Sequence, residues 1–304
     1  MSGTEREKGG SPDILYAVGA VFFWSTAATA FKLSLKYIGH IELLFISSIA
    51  STIIFGSFVI FSPRKKVLGR MRPGALIFPA LTGILNPFLY YIVLFRGYAL
   101  LSAQEALLLN YTWPILLPLI SALLLKTPVP ARSLGALALG FTGIFFISSR
   151  GSGPFFSEMS PNILYPLSSA VIWGFYWVLG KKDRTEALVK LFVHFISGTL
   201  FFILFLIAGE YRMRFHPAGI AGGIYVGAFE MGFTFILWER AMAVSKKPAD
   251  ISILVFLSPF ISLLFIALVL KEPLRAASFA GLFFIIAGIA VNRANALDFL
   301  FKKK

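Results

Sequence analysis

From Ala106 to Leu125 the chain runs twenty residues without a charge, and no other feature narrows its folding options as much. An α-helix of that length, at about 1.5 Å per residue, matches the roughly 30 Å hydrocarbon core of a bilayer. In that medium every backbone polar group must be satisfied within the segment, so the run reads as a membrane helix. Polar residues lead straight into it, from Ser102 through Gln104 and Glu105, and Asn110 and Pro114 lie inside it. Taken alone, Asn110 reads as hydrogen-bonding glue between helices and Pro114 as a tolerated kink. The stretch also recurs. Pro259 lies 145 positions after Pro114, and the same offset pairs Glu105 with Asp250, Lys126 with Lys271, Pro128 with Pro273 and Gly143 with Gly288.

Apolar spans fill most of the remaining chain. In the first half they run 14–31, 43–61, 74–95, 106–125 and 133–149; in the second, 163–180, 191–209, 217–238, 251–270 and 276–291. None alternates with period two, which sets aside a transmembrane β-barrel. The fold expected is an all-α integral membrane protein with ten transmembrane helices. The first span, with Ala28-Thr29-Ala30 after an apolar run, imitates a cleavable signal peptide, but Glu5, Glu7 and Asp13 weaken the positive leader that such a peptide needs. Its internal echo argues for keeping it: Trp24 precedes Lys32 by eight residues, as Trp173 precedes Lys181.

Only 14% of residues are charged and the mean hydropathy is +0.82, against roughly 25% charged in a soluble domain. The net charge of +14 sits in short clusters between the spans, not on a continuous face that phosphates would meet, so no nucleic-acid partner is expected. There are no cysteines, which excludes disulfides, thiolate metal sites and cysteine nucleophiles. His40, His194 and His216 are scattered without a carboxylate cluster, so neither a metal nor another cofactor is expected. Neither a Gly-x-Ser-x-Gly nor a His-Glu-x-x-His pattern occurs, which argues against an intramembrane enzyme, and no Gly-x-x-x-x-Gly-Lys loop is present to bring ATP.

Lys and Arg set the orientation, because short cytoplasmic loops carry the positive excess. With the N-terminus inside, 20 of the 28 fall on cytoplasmic segments. Both termini are therefore expected in the cytoplasm, with 1–12 and 294–304 as tails. Five helices per repeat is an odd number, so the second set (162–293) must enter the membrane from the side opposite to the first (13–150). Two inverted five-helix repeats about a pseudo-two-fold axis in the membrane plane are an architecture of alternating-access carriers, whose solute site lies near the midplane.

Both halves also resemble the EamA-type transporters of the drug/metabolite transporter superfamily over nearly the whole chain. The likeness rests on Trp24 and Trp173 within the first helix of each half, Tyr98-Ala99-Leu100 and Ala241-Met242-Ala243 before the fourth, and Pro114 and Pro259 within it. It extends to Lys126-Thr127-Pro128 and Lys271-Glu272-Pro273 at its end, where Thr127 departs from the acid usual in the family. Within the superfamily, Ala103-Gln104-Glu105-Ala106 and Asn110-Tyr111-Thr112-Trp113-Pro114 resemble the aromatic amino-acid exporter (YddG) group. The resemblance implies a multi-pass protein of a bacterial or archaeal cytoplasmic membrane that exports small solutes.

Glu230 is the one acid placed near a bilayer midplane, where an ionised carboxylate costs several kcal/mol unless paired or wet. It is the expected amine-binding residue. Helical spacing puts Gly223, Gly227 and Thr234 on its face and Tyr90 on the face of Asn86. Asn110 and Trp113 are expected to set solute choice, because their repeat partners, Val255 and Ser258, differ from them. Trp24, Trp173 and Tyr176, with Tyr90, Tyr111 and Trp113, offer rings to an aromatic or cationic solute. Lys32 reads as snorkelling to the headgroups, and His194 as a structural hydrogen bond. The function expected is a secondary carrier exporting small amphipathic metabolites, amino acids including aromatic ones ahead of drug-like or polyamine cations, with a channel or a membrane scaffold as the other classes. The partners expected are a small-molecule solute and the lipid bilayer; homodimerisation is left open.

Overall fold

A computed structural model describes residues 12–126, 128–129, 131–149 and 160–301, apart from the side chains at 132, 249–250 and 292–301. Of the tails expected at 1–12 and 294–304, the first lies outside the described residues up to Ser11, while the backbone of 294–301 continues the last helix and 302–304 lie outside; Thr127 and the side chain of Asp250 also lie outside. Among the described residues every regular element is a helix. In chain order they are α1 (Pro12–Ser34), α2 (His40–Ile60), α3 (Arg64–Arg70), α4 (Pro73–Gly83), α5 (Tyr90–Leu100), α6 (Ala103–Asn110), α7 (Trp113–Leu125), α8 (Ala131–Ser148), α9 (Leu164–Gly180), α10 (Ala187–Ala208), α11 (Pro217–Tyr225), α12 (Phe233–Val244), α13 (Pro248–Ser252), α14 (Ser258–Phe265) and α15 (Ala276–Phe301). Joined across their irregular turns, they give eight spans long and apolar enough to cross a membrane, and shorter apolar helices run Ser133–Ser148 and Ala276–Val291.

The outer surface is apolar and the interior holds the polar groups. Phe61, Leu268 and Leu15 are 88%, 77% and 71% exposed, whereas Ser25, Ser47, Ser51, Asn86, Gln104 and Glu105 are buried. A soluble protein reverses this pattern; a lipid-facing bundle requires it. Small residues let the helices close on one another. At Gly143 of α8 an added Cβ would lie 2.8 Å from the Gly281 carbonyl of α15, so these two helices meet nearly backbone to backbone.

Four spans are interrupted rather than continuous. Between α4 and α5, residues Ile84–Leu89 form a π turn in which Asn86 leaves helical geometry (φ −142°, ψ 119°), because Pro87 removes a donor and restricts the residue before it. Between α11 and α12, Val226–Glu230 form a second π turn, followed by Gly232 at φ −105°, ψ −94°. The α6–α7 span breaks at Tyr111–Thr112 ahead of Pro114, and α13–α14 passes through a 3-10 turn at Ile253–Leu257 ahead of Pro259. Carbonyls near the breaks are recovered by side chains, as hydrocarbon demands. Ser51 Oγ of α2 donates to the Gly227 carbonyl at 2.9 Å, Ser197 Oγ of α10 to Ala80 at 3.0 Å, and Thr234 Oγ1 to Phe229. Both Pro-interrupted spans then end on a left-handed lysine, Lys126 (φ 53°) and Lys271 (φ 57°), two residues before a proline that bars any continuation.

Candidate functional site

The broken helices surround a cavity of about 440 Å³, within the roughly 300–1,000 Å³ of small-molecule sites. Its wall is a chain of rings. Trp24 packs against Trp238 at 5.3 Å between centroids and edge-on to Phe235 at 5.8 Å; Phe235 meets Trp173 at 6.2 Å; Trp173 meets Tyr90 at 4.6 Å and Tyr176 at 5.3 Å. Trp113 lies parallel to Trp177, 6.3 Å away. All five tryptophans of the chain line this space. Ring pairs of this kind contribute about 0.5–1.5 kcal/mol each beyond area burial, so the wall is a stable surface for a flat or cationic solute.

Glu230 sits at the end of the second π turn and lines the cavity. Its Oε1 accepts from the fully buried Tyr91 hydroxyl at 3.2 Å, while its Oε2 meets no hydrogen-bond partner among the described residues. A carboxylate oxygen in that position calls for a donor from water or solute. Asn110 also lines the cavity, with half of its amide engaged by the protein: Oδ1 accepts from Tyr90 Oη at 3.3 Å and Nδ2 donates to Ser169 Oγ at 2.9 Å. It ties α5, α6 and α9 together.

Two of the expected site residues are elsewhere. Asn86 is fully buried and Thr234 is fully buried with its hydroxyl turned to the Phe229 carbonyl; neither lines the cavity. The expected shared faces fail for one reason: a 3.6-residue period holds only along an unbroken helix, and breaks intervene between Asn86 and Tyr90 and between Glu230 and Thr234. Gly223 and Gly227 leave no room for solute either. An added Cβ would meet Ile46 at 2.8 Å and the Ser47 carbonyl at 2.5 Å, so both glycines admit α2. Lys32 does not snorkel. Its Nζ donates to the Tyr98 and Leu101 carbonyls at 2.9 and 2.8 Å, satisfying the open end of α5.

One end of the cavity is charged. Lys181, Asp183, Lys190 and Glu239 line it where α9 ends, α10 begins and α12 ends. Burial pushes the Asp183 carboxyl up, but the nearby His194 ring and the hydrogen bonds from Thr185 outweigh it and hold the group at about 2. Burial pushes the Lys181 ammonium down to about 8. Trp177, Phe235, Trp238 and this charged rim are not among the residues expected from the sequence; Trp177 is legible in principle, four residues from Trp173 on one helical face.

A second polar network gathers at the start of α6, outside the residues that line the cavity. Ser102 and Glu105 form a capping box, and Arg275 Nη1 reaches Glu105 Oε1 at 3.1 Å. Ser278 Oγ donates to Gln104 Oε1 at 2.6 Å, Gln104 Nε2 to the Pro273 carbonyl at 3.0 Å, and the Ala103 amide to both Glu272 oxygens at 3.0 and 3.1 Å. Among the described residues no group of three His, Asp or Glu side chains is placed to hold a metal ion.

An apolar-coated helical bundle around a solute-sized, aromatic-walled chamber defines a multi-pass membrane protein built to admit a small molecule. The model of the EamA-like transporter family matches residues 12–149 and again 160–294, and the chain belongs to that family of the drug/metabolite transporter superfamily. Relatives include the Bacillus subtilis transporter YetK, 26% identical over 71% of this chain and 67% of its own length. A transporter of Archaeoglobus fulgidus is 22% identical over 90% of this chain and 95% of its own, and protein PecM of Dickeya dadantii is 25% identical over 69% and 71%. One solved structure superimposes with a TM-score of 0.64 over 93% of this chain and 96% of its own at 23% identity. These findings make the protein a membrane transporter.

Proposed function

We propose that this transporter exports amphipathic metabolites carrying an amine and a flat apolar body, amino acids with aromatic side chains foremost, by alternating access. The observation that carries the reading is Glu230, whose Oε2 meets no hydrogen-bond partner among the described residues, at the edge of a chamber walled by all five tryptophans. The carboxylate takes the ammonium, and Trp24, Tyr90, Trp113, Trp173 and Tyr176 take the apolar body. The repeats 13–150 and 162–293 act as inverted five-helix halves, ten helices in all. Both termini and the charged rim at Lys181 and Asp183 face the cytoplasm of a bacterial or archaeal cell, and the Glu105–Arg275 end faces outward. The likeness of residues 103–114 to the aromatic amino-acid exporter (YddG) group supports the same solute class.

Export of quaternary ammonium or polyamine cations is the second reading, favoured by the same carboxylate among rings. Counterflow in proteoliposomes decides. Preloaded L-phenylalanine should accelerate entry of labelled L-phenylalanine, with weaker competition from tetraphenylphosphonium; the reverse ranking favours the cation reading, and no trans-stimulation by either rejects a carrier. Glu230→Gln should fold and insert normally yet lose amine selectivity. Transport indistinguishable from wild type in rate and selectivity would remove Glu230 from the mechanism.

A further inference from the structure

His194 of α10 is fully buried, lines the cavity, and bonds through both ring nitrogens. Its Nε2 lies 2.7 Å from Thr82 Oγ1 and its Nδ1 lies 3.0 Å from Tyr176 Oη. A hydrogen on Nε2 lets Thr82 accept there while giving its one hydroxyl proton to the Pro79 carbonyl at 2.8 Å. Asp183 Oδ2, 3.8 Å from the same nitrogen, favours the same placement. In the neutral ring Nδ1 is then an acceptor, and the Tyr176 hydroxyl must donate to it.

We propose that His194 is a positioning residue for solute recognition: by accepting the hydrogen bond of the Tyr176 hydroxyl, it makes Tyr176 present its ring face to the chamber. The inference rests on the chamber being the solute site. The ring so held stacks on Trp173 at 5.3 Å, and Trp173 lies 4.6 Å from Tyr90, so the bond sets one end of a three-ring surface. The Asn86 side chain neighbours the same hydroxyl without meeting hydrogen-bond geometry, so His194 alone accepts its hydrogen bond among the described residues. Thr82 stands at the end of α4, two residues before the π turn, which makes the same histidine a tie between the first helix break and the ring wall.

Two substitutions separate the nitrogens. In His194→Asn the amide oxygen falls near the place of Nδ1 and keeps the Tyr176 acceptor; in His194→Gln the amide nitrogen falls near Nε2 and keeps the Thr82 bond while losing Tyr176. The readout is the ratio of L-phenylalanine to L-leucine counterflow. His194→Asn should hold that ratio within about twofold of wild type, and His194→Gln should lower it about three- to tenfold, the worth of one aromatic contact. Equal loss in both variants, or no change in either, overturns the proposal. If His194→Asn does not fold, the cycle with Tyr176→Phe replaces it: His194→Gln should have no further effect on the ratio in that background, and an additive loss overturns the proposal. Nitrogen NMR of histidine-labelled protein needs no solute. With only three histidines in the chain, His194 should show the Nε2–H tautomer and its Nδ1 signal should move in Tyr176→Phe; an Nδ1–H tautomer, or no movement, refutes the bond. Wild-type protein that moves neither amino acid would sink the solute reading, while the NMR result still decides the bond.

Discussion

In the proposed alternating-access cycle the network at the start of α6 closes one end of the chamber, and replacing Arg275 by Gln should shift the protein toward the conformation open at that end. Arg275 and Glu105 meet at 3.1 Å with side-chain exposures of 34% and 4%. Breaking a fully buried pair costs about 3–5 kcal/mol and an exposed one about 0–1. A guanidinium one-third exposed belongs nearer the lower figure, and Glu105 keeps its bonds to the Ser102 amide and hydroxyl at 3.1 and 2.9 Å. We therefore expect a loss of about 1–2 kcal/mol from the closed end, a factor of about 5–30 in the ratio of the two states. The remaining ties through Gln104 and Glu272 keep the variant from opening outright. The chain has no cysteine of its own, so a single Leu107→Cys in the chamber wall reports access directly. In oriented membranes its labelling by an impermeant maleimide from outside should quicken by that factor, with labelling from inside slowed or unchanged. Equal quickening from both faces would show general loosening, and unchanged labelling would show that the pair carries none of the closure; either result refutes the reasoning.

Trp113→Ala should reorder the solutes transported, because it removes the ring parallel to Trp177; uniform loss of all transport together with a lowered melting temperature in detergent would assign Trp113 to packing. Gly143→Val should cost about 1–3 kcal/mol by overpacking, since its Cβ would crowd the Gly281 carbonyl and Ile285, whereas Gly135→Ala, inside the same helix with nothing within 4 Å, should raise the melting temperature slightly, by about 0.5–1 kcal/mol of helix propensity. Lys181 should acylate with a rate rising through about pH 8 rather than pH 10.5. The linked stability has a definite sign: the unfolded chain binds this proton more tightly, so the Lys181 contribution is unfavourable below about 8 and is relieved as pH rises toward 10.5. Lys181→Gln should accordingly raise the melting temperature at pH 7 and leave it unchanged above pH 10.5.

Class and family were legible because they rest on one-dimensional quantities. An uncharged run is long enough to cross a bilayer or it is not, and residues such as Pro114 and Pro259 keep their offset whatever the packing. The site was legible only in part. Glu230, Trp24, Tyr90, Asn110, Trp113, Trp173 and Tyr176 do converge on the cavity, but Asn86 and Thr234 were carried in by a helical period that the breaks interrupt. The breaks themselves were marked, by Pro87 and by Gly232, yet both residues are tolerated in continuous membrane helices and so do not by themselves announce a π turn. Lys32 was misread because its acceptors, the carbonyls of Tyr98 and Leu101, lie more than sixty residues away in sequence. Asn110 borders the cavity as expected, and only the structure reveals that one donor and one acceptor of its amide hold Ser169 and Tyr90.

The clustering of every indole around one chamber gives this protein an optical property. In most proteins tryptophan emission averages over core, surface and interfaces, and the part that reports binding is diluted by the rest. Here Trp24, Trp113, Trp173, Trp177 and Trp238 all border the same space, so the whole emission spectrum reads out the wetness and occupancy of that space. A solute that displaces water should blue-shift the entire band, and a water-soluble quencher should lose access to all five fluorophores together when the chamber closes. The unmodified chain thus carries a dye-free gauge of its own cavity, set against a background without other indoles.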